Sequence, residues 1–400
     1  KGWATSLSGS TFCKMIKFEF LPSADLKAKY DLRVVSKAQQ KMNAYIHTLP
    51  IEHQARFSYF DDAKINEILN CLPGDILGHI YDIYGRFPEL ADRYWPAYFI
   101  KDAPIPAGVD KNGAQTREEK AVLDELSEQA IAYLEPIAAP ELTYISHLLM
   151  SLKGAVTYSA KREILANIVK AARGENIATE KFKKIFDDWI NSFEDVFSYS
   201  ALSLDIGHDI TDEWKIHVCL YCNDEPIQTK GSRVRFRTDL DHFYPRTKFP
   251  FLAVTLSNLV PAGKTCNQSY KGNKDMIEYE HPFVRGVGQS RVFHLNTPFG
   301  KIITEENFSV SVVEQGGKLD LNLSEFEIAH NYENSDEIKT WVADAAGTVE
   351  LIVGCNSPQV KAALLRGLIK SDKPSHRERH KKFKADSINQ FAGKEIVSFF

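Results

Sequence analysis

Four polar residues in a short stretch of this chain could carry out chemistry at a single site. Asp241 and His242 are adjacent, Asn258 follows in an apolar turn, and Asn267 follows a cysteine. A histidine takes up a proton near neutral pH, so His242 could serve as a general base. The carboxylate of Asp241 and the amide oxygen of Asn267 suit Mg²⁺ or Mn²⁺. Such a combination could serve phosphodiester hydrolysis, in which water must be activated, phosphate charge neutralised and the leaving oxygen stabilised.

The adjacency of Asp241 and His242 sets a geometric condition. Neighbouring side chains on a regular strand point to opposite faces, so the two can serve one site only if the backbone bends there. Pro245 lies shortly afterwards, which is consistent with a strand that ends. The alternative interpretation is an ordinary ion-paired step on the protein surface.

Three cysteines surround this stretch. Cys219 and Cys222 form a Cys-x-x-Cys pair, and Cys266 directly precedes Asn267. Six cysteines in 400 residues are too few for a disulfide scaffold, and their clustering favours metal binding in a reducing compartment. We therefore expect a cytoplasmic protein. The alternative for the pair, a redox site of thioredoxin type, lacks the expected strand-to-helix setting.

The three motifs together resemble the HNH nuclease family. They are the run Asp241-His242-Phe243-Tyr244-Pro245, the Asn258-Leu259 turn and the Cys266-Asn267 pair, and the resemblance covers roughly residues 214 to 280. It implies a small ββα-metal core that holds one divalent ion. The roles that it implies are those of a general base for His242, metal ligands for Asp241 and Asn267, and, for Asn258, a residue that pins the loop between two strands by hydrogen bonds.

The same resemblance implies a second, structural metal. Many HNH proteins carry two Cys-x-x-Cys knuckles that bind Zn²⁺, which makes Cys219, Cys222 and Cys266 candidate zinc ligands. Gly263 stands where the fourth cysteine would be, three residues before Cys266. Either another group completes the tetrahedral site, or the site is weakened, or no zinc binds. The candidates for the fourth ligand are His217, Asp224 and Cys355.

Basic residues near the site favour a nucleic-acid substrate, although the net charge of the chain is −4 and its pI is near 6.3. Arg233, Arg235 and Arg237 alternate, so on a strand they would form a stripe that could follow a phosphate backbone. A charged edge strand would look the same. In the HNH family a short helix with basic residues follows the third motif, so lysines at that place could contact phosphate. The alternative for such a lysine is that it is simply solvated. The further candidate contacts are Arg246, Lys271 and Lys274.

Length and periodicity predict an α+β protein in three parts. The 400 residues are 44% hydrophobic and 26% charged, as in soluble globular proteins, and we find no apolar run of the roughly 20 residues that cross a bilayer. We predict a mainly helical region at 1–200, an HNH core at 201–285 and a mixed strand and helix region at 286–400. The predicted helices are 26–46, 61–72, 75–86, 117–134, 140–152, 161–172, 179–193, 336–345 and 357–369. The predicted strands are 13–20, 216–218, 290–294, 301–304, 308–313, 319–323 and 326–328.

Together these features predict a metal-dependent HNH endonuclease that cuts DNA. The competing prediction is a module that binds nucleic acid or a partner protein without cutting, and Gly263 favours it. Large helical regions beside an HNH core resemble bacterial anti-phage defence and mobile-element nucleases, which implies a regulatory partner such as an ATPase. The basic segment 370–384 is either a mobile arm or an element that faces DNA.

Overall fold

The described part of the chain is mainly helical and carries two small antiparallel sheets. The computed structural model describes residues 18–175, 179–199, 202, 204–229, 237–288, 290–370 and 372–398. Over these residues the predicted α+β class is confirmed. The predicted strand at 13–20 lies mostly outside the described residues, and so do Arg233 and Arg235.

The first half of the chain folds into helices whose connections are short except for residues 101–116. These are α1 (Ala24–Tyr30), α2 (Ser36–Thr48), α3 (Ile51–Phe57), α4 (Asp62–Leu69), α5 (Ile76–Arg86), α6 (Pro88–Tyr94), α7 (Ala97–Ile100), α8 (Arg117–Leu134), α9 (Thr143–Lys153), α10 (Tyr158–Ala172), α11 (Glu180–Lys183), α12 (Asp188–Val196) and α13 (Leu204–Trp214). A π-helical segment, Asp31–Val35, joins α1 to α2 into the long helix predicted at 26–46. None of the described helices is long and apolar enough to cross a bilayer.

Helix α8 shows how the sequence sets these boundaries. The Thr116 hydroxyl accepts a hydrogen bond from the Glu119 amide at 3.1 Å, and the Glu119 carboxylate accepts one from the Thr116 amide at 3.0 Å. This reciprocal capping box satisfies two amides that the first turn leaves without partners. The helix therefore begins at Arg117, as predicted.

A strand, loop, strand and helix follow in the middle of the chain. Strand β1 (Asp239–His242) pairs antiparallel with β2 (Leu259–Ala262), and His242 lies opposite Leu259. A π-helical segment, Thr265–Lys271, begins shortly after β2. This order is that of a ββα unit, and its identity as an HNH core stays a prediction. The predicted strand at 216–218 is reduced to an isolated bridge between Val218 and Pro226.

The last part of the chain combines a two-stranded sheet with helices. Its elements are β3 (Phe293–Asn296), β4 (Ser309–Val312), α14 (Lys318–Glu325), α15 (Ile328–Glu333), α16 (Asp336–Gly354), α17 (Pro358–Leu368) and α18 (Lys381–Ala392). Strands β3 and β4 pair antiparallel. They confirm the predicted strand at 308–313 and overlap the one at 290–294. The segment 301–304 forms no strand.

The strands predicted at 319–323 and 326–328 are wrong. The alternating leucines at 319, 321 and 323 suggested a strand, but they belong to α14. Leu319 and Leu323, four residues apart, are buried, whereas Leu321 between them is 45% exposed. Burial therefore follows the helical period of this segment. Residues 326–328 turn into α15.

One apolar core runs through all three predicted parts of the chain, from Leu26 to Phe383. On one side, the Tyr30 hydroxyl of α1 donates a hydrogen bond to the carbonyl of Val254, in the loop between β1 and β2. On the other, the Tyr332 hydroxyl of α15 donates to the carbonyl of Cys222 at 2.8 Å. The ββα unit is therefore packed between the helical region and the C-terminal region.

Much of the basic segment 370–384 packs against the Cys219-x-x-Cys222 pair. Arg379 Nη2 and His380 Nε2 lie 2.8 and 2.6 Å from the Asp224 carboxylate, directly after that pair. His380, Lys381 and Lys382 are buried. Buried, paired side chains neither form a mobile arm nor face DNA, so both interpretations are wrong for this part of the segment.

Candidate active site

The side chains of Asp241 and His242 contact different parts of the protein. Asp241 is buried, and its carboxylate contacts Tyr221 and Lys271. His242 is half-buried, and its ring lies 5.0 Å from the ring of Tyr199. No hydrogen bond or ion pair joins Asp241 to His242 among the described residues. The bend that would bring the two side chains together is therefore not seen, and strand alternation accounts for their separation.

A backbone carbonyl fixes the tautomer of His242. Its Nε2 lies 2.7 Å from the carbonyl oxygen of Ala253, which can only accept, so Nε2 carries the proton. The lone pair is then on Nδ1, which is the atom able to accept a proton from water. Burial lowers the pKa of His242 to about 4, and the nearby charges of Arg246 and Lys271 also lower it. The imidazole is neutral at pH 7, as a general base must be.

Asn258 closes the loop that carries Ala253. Its Oδ1 accepts a hydrogen bond from the Tyr244 amide at 2.8 Å. Its Nδ2 donates to the carbonyls of Tyr244 and Leu252 at 3.0 and 3.1 Å. Asn258 is fully buried, and these bonds pin the loop as the resemblance predicted. Its role is structural, because it positions the carbonyl that orients His242.

A buried lysine neutralises the carboxylate of Asp241. Lys271 Nζ lies 3.0 Å from Asp241 Oδ1 and 2.8 Å from the carbonyl oxygen of His242, and the Tyr221 hydroxyl donates to Asp241 Oδ2 at 2.6 Å. Burial lowers the pKa of Lys271, and Asp241 opposes this effect. Lys271 is only 3% exposed. It is therefore neither the phosphate contact nor the solvated lysine that the sequence predicted.

The oxygen atoms around Lys271 are of the kind that a divalent cation binds. The Asp241 carboxylate and the His242 carbonyl both contact its ammonium group. Asn267 lies in the same helical segment, is half-buried, and its side chain makes no hydrogen bond with the described residues. Carboxylate and amide oxygens are ligands for Mg²⁺ or Mn²⁺, so the donor set fits such an ion in kind. A metal at Asp241 Oδ1 would have to displace Lys271.

The three cysteines meet in one buried cluster. The Sγ atoms of Cys219, Cys222 and Cys266 all lie within 4.8 Å of one another. The amides of Asp224 and Glu225 donate to Cys222 Sγ, both at 3.4 Å. Burial raises the pKa of Cys219, but hydrogen bonds from the other two thiols outweigh it, and the net pKa lies well below the usual value. The fold thus brings together the three cysteines that are the candidate zinc ligands.

None of the three predicted fourth ligands joins this cluster among the described residues. Asp224 is held by Arg379 and His380. Cys355 follows α16, where its thiol donates to the Ser357 carbonyl at 3.7 Å. His217 also lies outside the cluster.

Glu225 occupies the space beside Gly263 where a fourth cysteine would stand. A Cβ atom on Gly263 would lie 2.0 Å from Glu225 Oε2. The carboxylate accepts hydrogen bonds from the amides of Lys264 and Thr265 at 2.8 and 3.1 Å. Glu225 therefore holds the two cysteine-bearing segments together, although its oxygens lie outside the sulfur cluster.

The predicted nucleic-acid contacts differ in their surroundings. Arg246 is exposed, and its guanidinium lies 5.8 Å from the ring centroid of Tyr199. Arg237 is half-buried, and its Nη2 donates to the Tyr199 hydroxyl at 3.1 Å. Lys274 is exposed but forms an ion pair with Glu325. Among these three residues, Arg246 is the exposed cation that has no carboxylate partner in the described part of the chain.

The sequence did not identify three residues that shape the site. Tyr199 packs against His242 from the end of the helical region, too far along the chain for the motifs to indicate it. Tyr221 binds Asp241, and its position between two cysteines was the only signal. Glu225 lies opposite Gly263, whose missing side chain was a hint that another group fills that space.

No protein-family model, curated protein or solved structure significantly matches this chain. The likeness to HNH nucleases therefore rests on the three short motifs. The contacts described above add a pinned loop and an oriented histidine.

We predict that the cysteine cluster binds about one zinc ion per chain. Cys222→Ser should lower the zinc content and the melting temperature, because it removes one of three sulfurs. Elemental analysis of the purified proteins measures this directly. Cys355→Ser is the matched control and should retain the wild-type zinc content. Equal zinc in the wild type and Cys222→Ser would show that the cluster is not the site.

We also predict that Lys271 competes with a divalent ion for Asp241. Lys271→Met should raise the affinity for Mn²⁺ by about tenfold or more, because a positive charge beside the carboxylate is removed. Calorimetric titration would measure the affinity, and Mn²⁺ should raise the melting temperature more in the variant than in the wild type. Lys274→Met should bind Mn²⁺ like the wild type. An unchanged affinity in Lys271→Met would contradict the competition.

Proposed function

We propose that the protein is a metal-dependent HNH endonuclease that hydrolyses phosphodiester bonds in DNA. The observation that carries the proposal is the antiparallel pair β1–β2 with its pinned loop. This loop orients His242 through the Ala253 carbonyl, at the end of the strand that carries Asp241. A neutral imidazole with a defined tautomer is what a general base requires.

The chain's own groups would act as follows. Nδ1 of His242 takes a proton from the attacking water. The imidazolium that forms keeps its hydrogen bond from Nε2 to Ala253, at 2.7 Å in the neutral state, and the carbonyl dipole stabilises its charge. Arg246, exposed next to Tyr199, contacts a phosphate of the DNA backbone. Asn258 keeps the loop in place.

Asp241 and Asn267 would hold the Mg²⁺ or Mn²⁺ ion. When bound, the ion neutralises phosphate charge and stabilises the departing oxygen. Asp241 would supply a carboxylate oxygen to this ion only after Lys271, whose Nζ lies 3.0 Å from Oδ1, is displaced. The cysteine cluster, with Zn²⁺, would be the structural partner of this site.

A second candidate function is a module that binds nucleic acid or a protein without cutting. The buried ion pair of Asp241 with Lys271 favours it, since a lysine already fills the position of a cation. The absence of a fourth cysteine at Gly263 also favours a module that does not cut. Roles in anti-phage defence or beside an ATPase partner stay predictions of the resemblance.

His242→Ala should lower the rate of DNA cleavage by about 10²–10⁴-fold, because the general base is removed. The measurement is nicking of supercoiled plasmid with Mg²⁺, together with the melting temperature. His47→Ala, at the exposed end of α2, should cleave like the wild type. DNA binding should persist in His242→Ala. Full cleavage by that variant would refute the assignment of the base.

The pH profile of cleavage should reflect the burial of His242. Because burial lowers its pKa to about 4, the imidazole stays neutral and active at pH 5, where a solvated histidine would be protonated. The acid limb of kcat/KM should therefore lie near pH 4. Arg246→Gln removes a positive charge that lowers the pKa of His242. The acid limb of this variant should therefore lie at higher pH than that of the wild type. A limb near 6.5 in the wild type would indicate a solvated base.

A further inference from the structure

A pocket with a volume of ≈ 320 Å³ lies beside His242. It is half-open and lies between the helical region, around α12, and the loop that follows β1. Tyr199 and Ala253 line it, and these are the residues whose ring and carbonyl contact the imidazole of His242. His242 itself does not line the pocket, so a molecule there would be separated from the imidazole by Tyr199 and Ala253.

Cations from three separate segments line the pocket. They are Arg93, Lys183 and Arg246. Arg93 is only 2% exposed, its Nε donates to Asn191 Oδ1 at 2.6 Å, and its guanidinium lies 4.7 Å from the ring centroid of Tyr94. A guanidinium held in this way has lost its freedom before a ligand binds, which favours recognition of a phosphate.

Two carboxylates, which accept hydrogen bonds, and an aromatic ring complete the lining of the pocket. Glu194 and Asp195 also line the pocket, and Glu194 Oε1 lies 3.5 Å from Lys183 Nζ. These carboxylates would repel a free phosphate but can accept hydrogen bonds from the amino groups of a base. The ring of Tyr199 offers a surface on which a base can stack. A nucleotide carries all three features, namely phosphate, base edge and ring.

The size of the pocket sets how much nucleic acid can enter. Small-molecule sites measure about 300–1,000 Å³, so ≈ 320 Å³ accommodates one nucleotide. A stacked base pair with both of its backbones is too large for such a space. A nucleotide can reach the pocket only when it is unpaired, in a single strand or extruded from a duplex.

We propose that this pocket binds one unpaired nucleotide next to the phosphodiester that is attacked by the water molecule from which His242 takes a proton. The preferred substrate is then single-stranded DNA, or a duplex with a frayed or extruded nucleotide. This inference rests on the nuclease function proposed above. It adds the form of the substrate, which the motifs around Asp241 do not specify.

Binding to the inactive His242→Ala full-length chain tests the pocket separately from cleavage. Fluorescence anisotropy would compare a labelled single strand with a blunt duplex of the same sequence. The single strand should bind about tenfold more tightly, since one stacked base alone can contribute about a factor of ten. A deoxynucleoside monophosphate in excess should compete with the single strand.

Pocket variants in the same background locate the binding. Lys183→Ala and Tyr199→Leu should each weaken single-strand binding by about fivefold or more, whereas Tyr199→Phe keeps the ring and should retain most of the affinity. Lys184→Ala is the matched control, because Lys184 is exposed and does not line the pocket. Equal affinity for single strand and duplex, or unchanged binding in Lys183→Ala and Tyr199→Leu, would overturn the proposal.

The two proposals fail in different ways. If the wild type cleaves nothing but the pocket variants still lose single-strand binding, the nuclease function is wrong and the pocket assignment holds. If the wild type cleaves duplex DNA and the pocket variants bind and cleave normally, the pocket assignment is wrong and the nuclease function holds.

Discussion

The buried ion pair between Asp241 and Lys271 is the interaction on which the candidate site depends. Removing two charges from water costs on the order of several kcal/mol per ion, so such a pair persists only when further bonds satisfy it. Tyr221 and the His242 carbonyl supply those bonds. The pair therefore joins the cysteine knuckle, strand β1 and the helical segment after β2. A metal at Asp241 would have to replace the positive charge of Lys271 and its hydrogen bonds to Asp241 and to the His242 carbonyl.

The two faces of β1 are supported by different parts of the chain. The Asp241 face meets the knuckle, which the C-terminal region holds through Tyr332 and the Asp224 network. The His242 face meets Tyr199, at the end of the helical region. The flanking parts are therefore structural components of the site. An isolated ββα segment would lose Tyr221 and Tyr199, which contact Asp241 and His242 from outside it.

The motifs predicted some of the residues that meet, namely the three cysteines, but not Asp241 with His242 and not what would surround them. Cys219 and Cys266 are far apart in sequence, yet the prediction that they meet with Cys222 is confirmed. The bonds of Asn258 also follow from the motif. Lys271 was placed wrongly, because sequence cannot show whether a lysine turns toward solvent or toward a buried carboxylate. In α14, three alternating leucines suited a strand, and only packing reveals that two of them share a helical face.

The separation of Asp241 from His242 has a consequence for how the site would work. Strand alternation places the cation-binding carboxylate and the proton acceptor on opposite sides, so they cannot act on one phosphate by direct contact with each other. A substrate would instead have to reach both at the end of β1, where the chain turns after His242. The pocket lined by Tyr199 and Arg246 opens beside that end. A single flexible strand can bend around such an edge far more readily than a stiff duplex, so the geometry of β1 and the small volume of the pocket favour the same form of substrate.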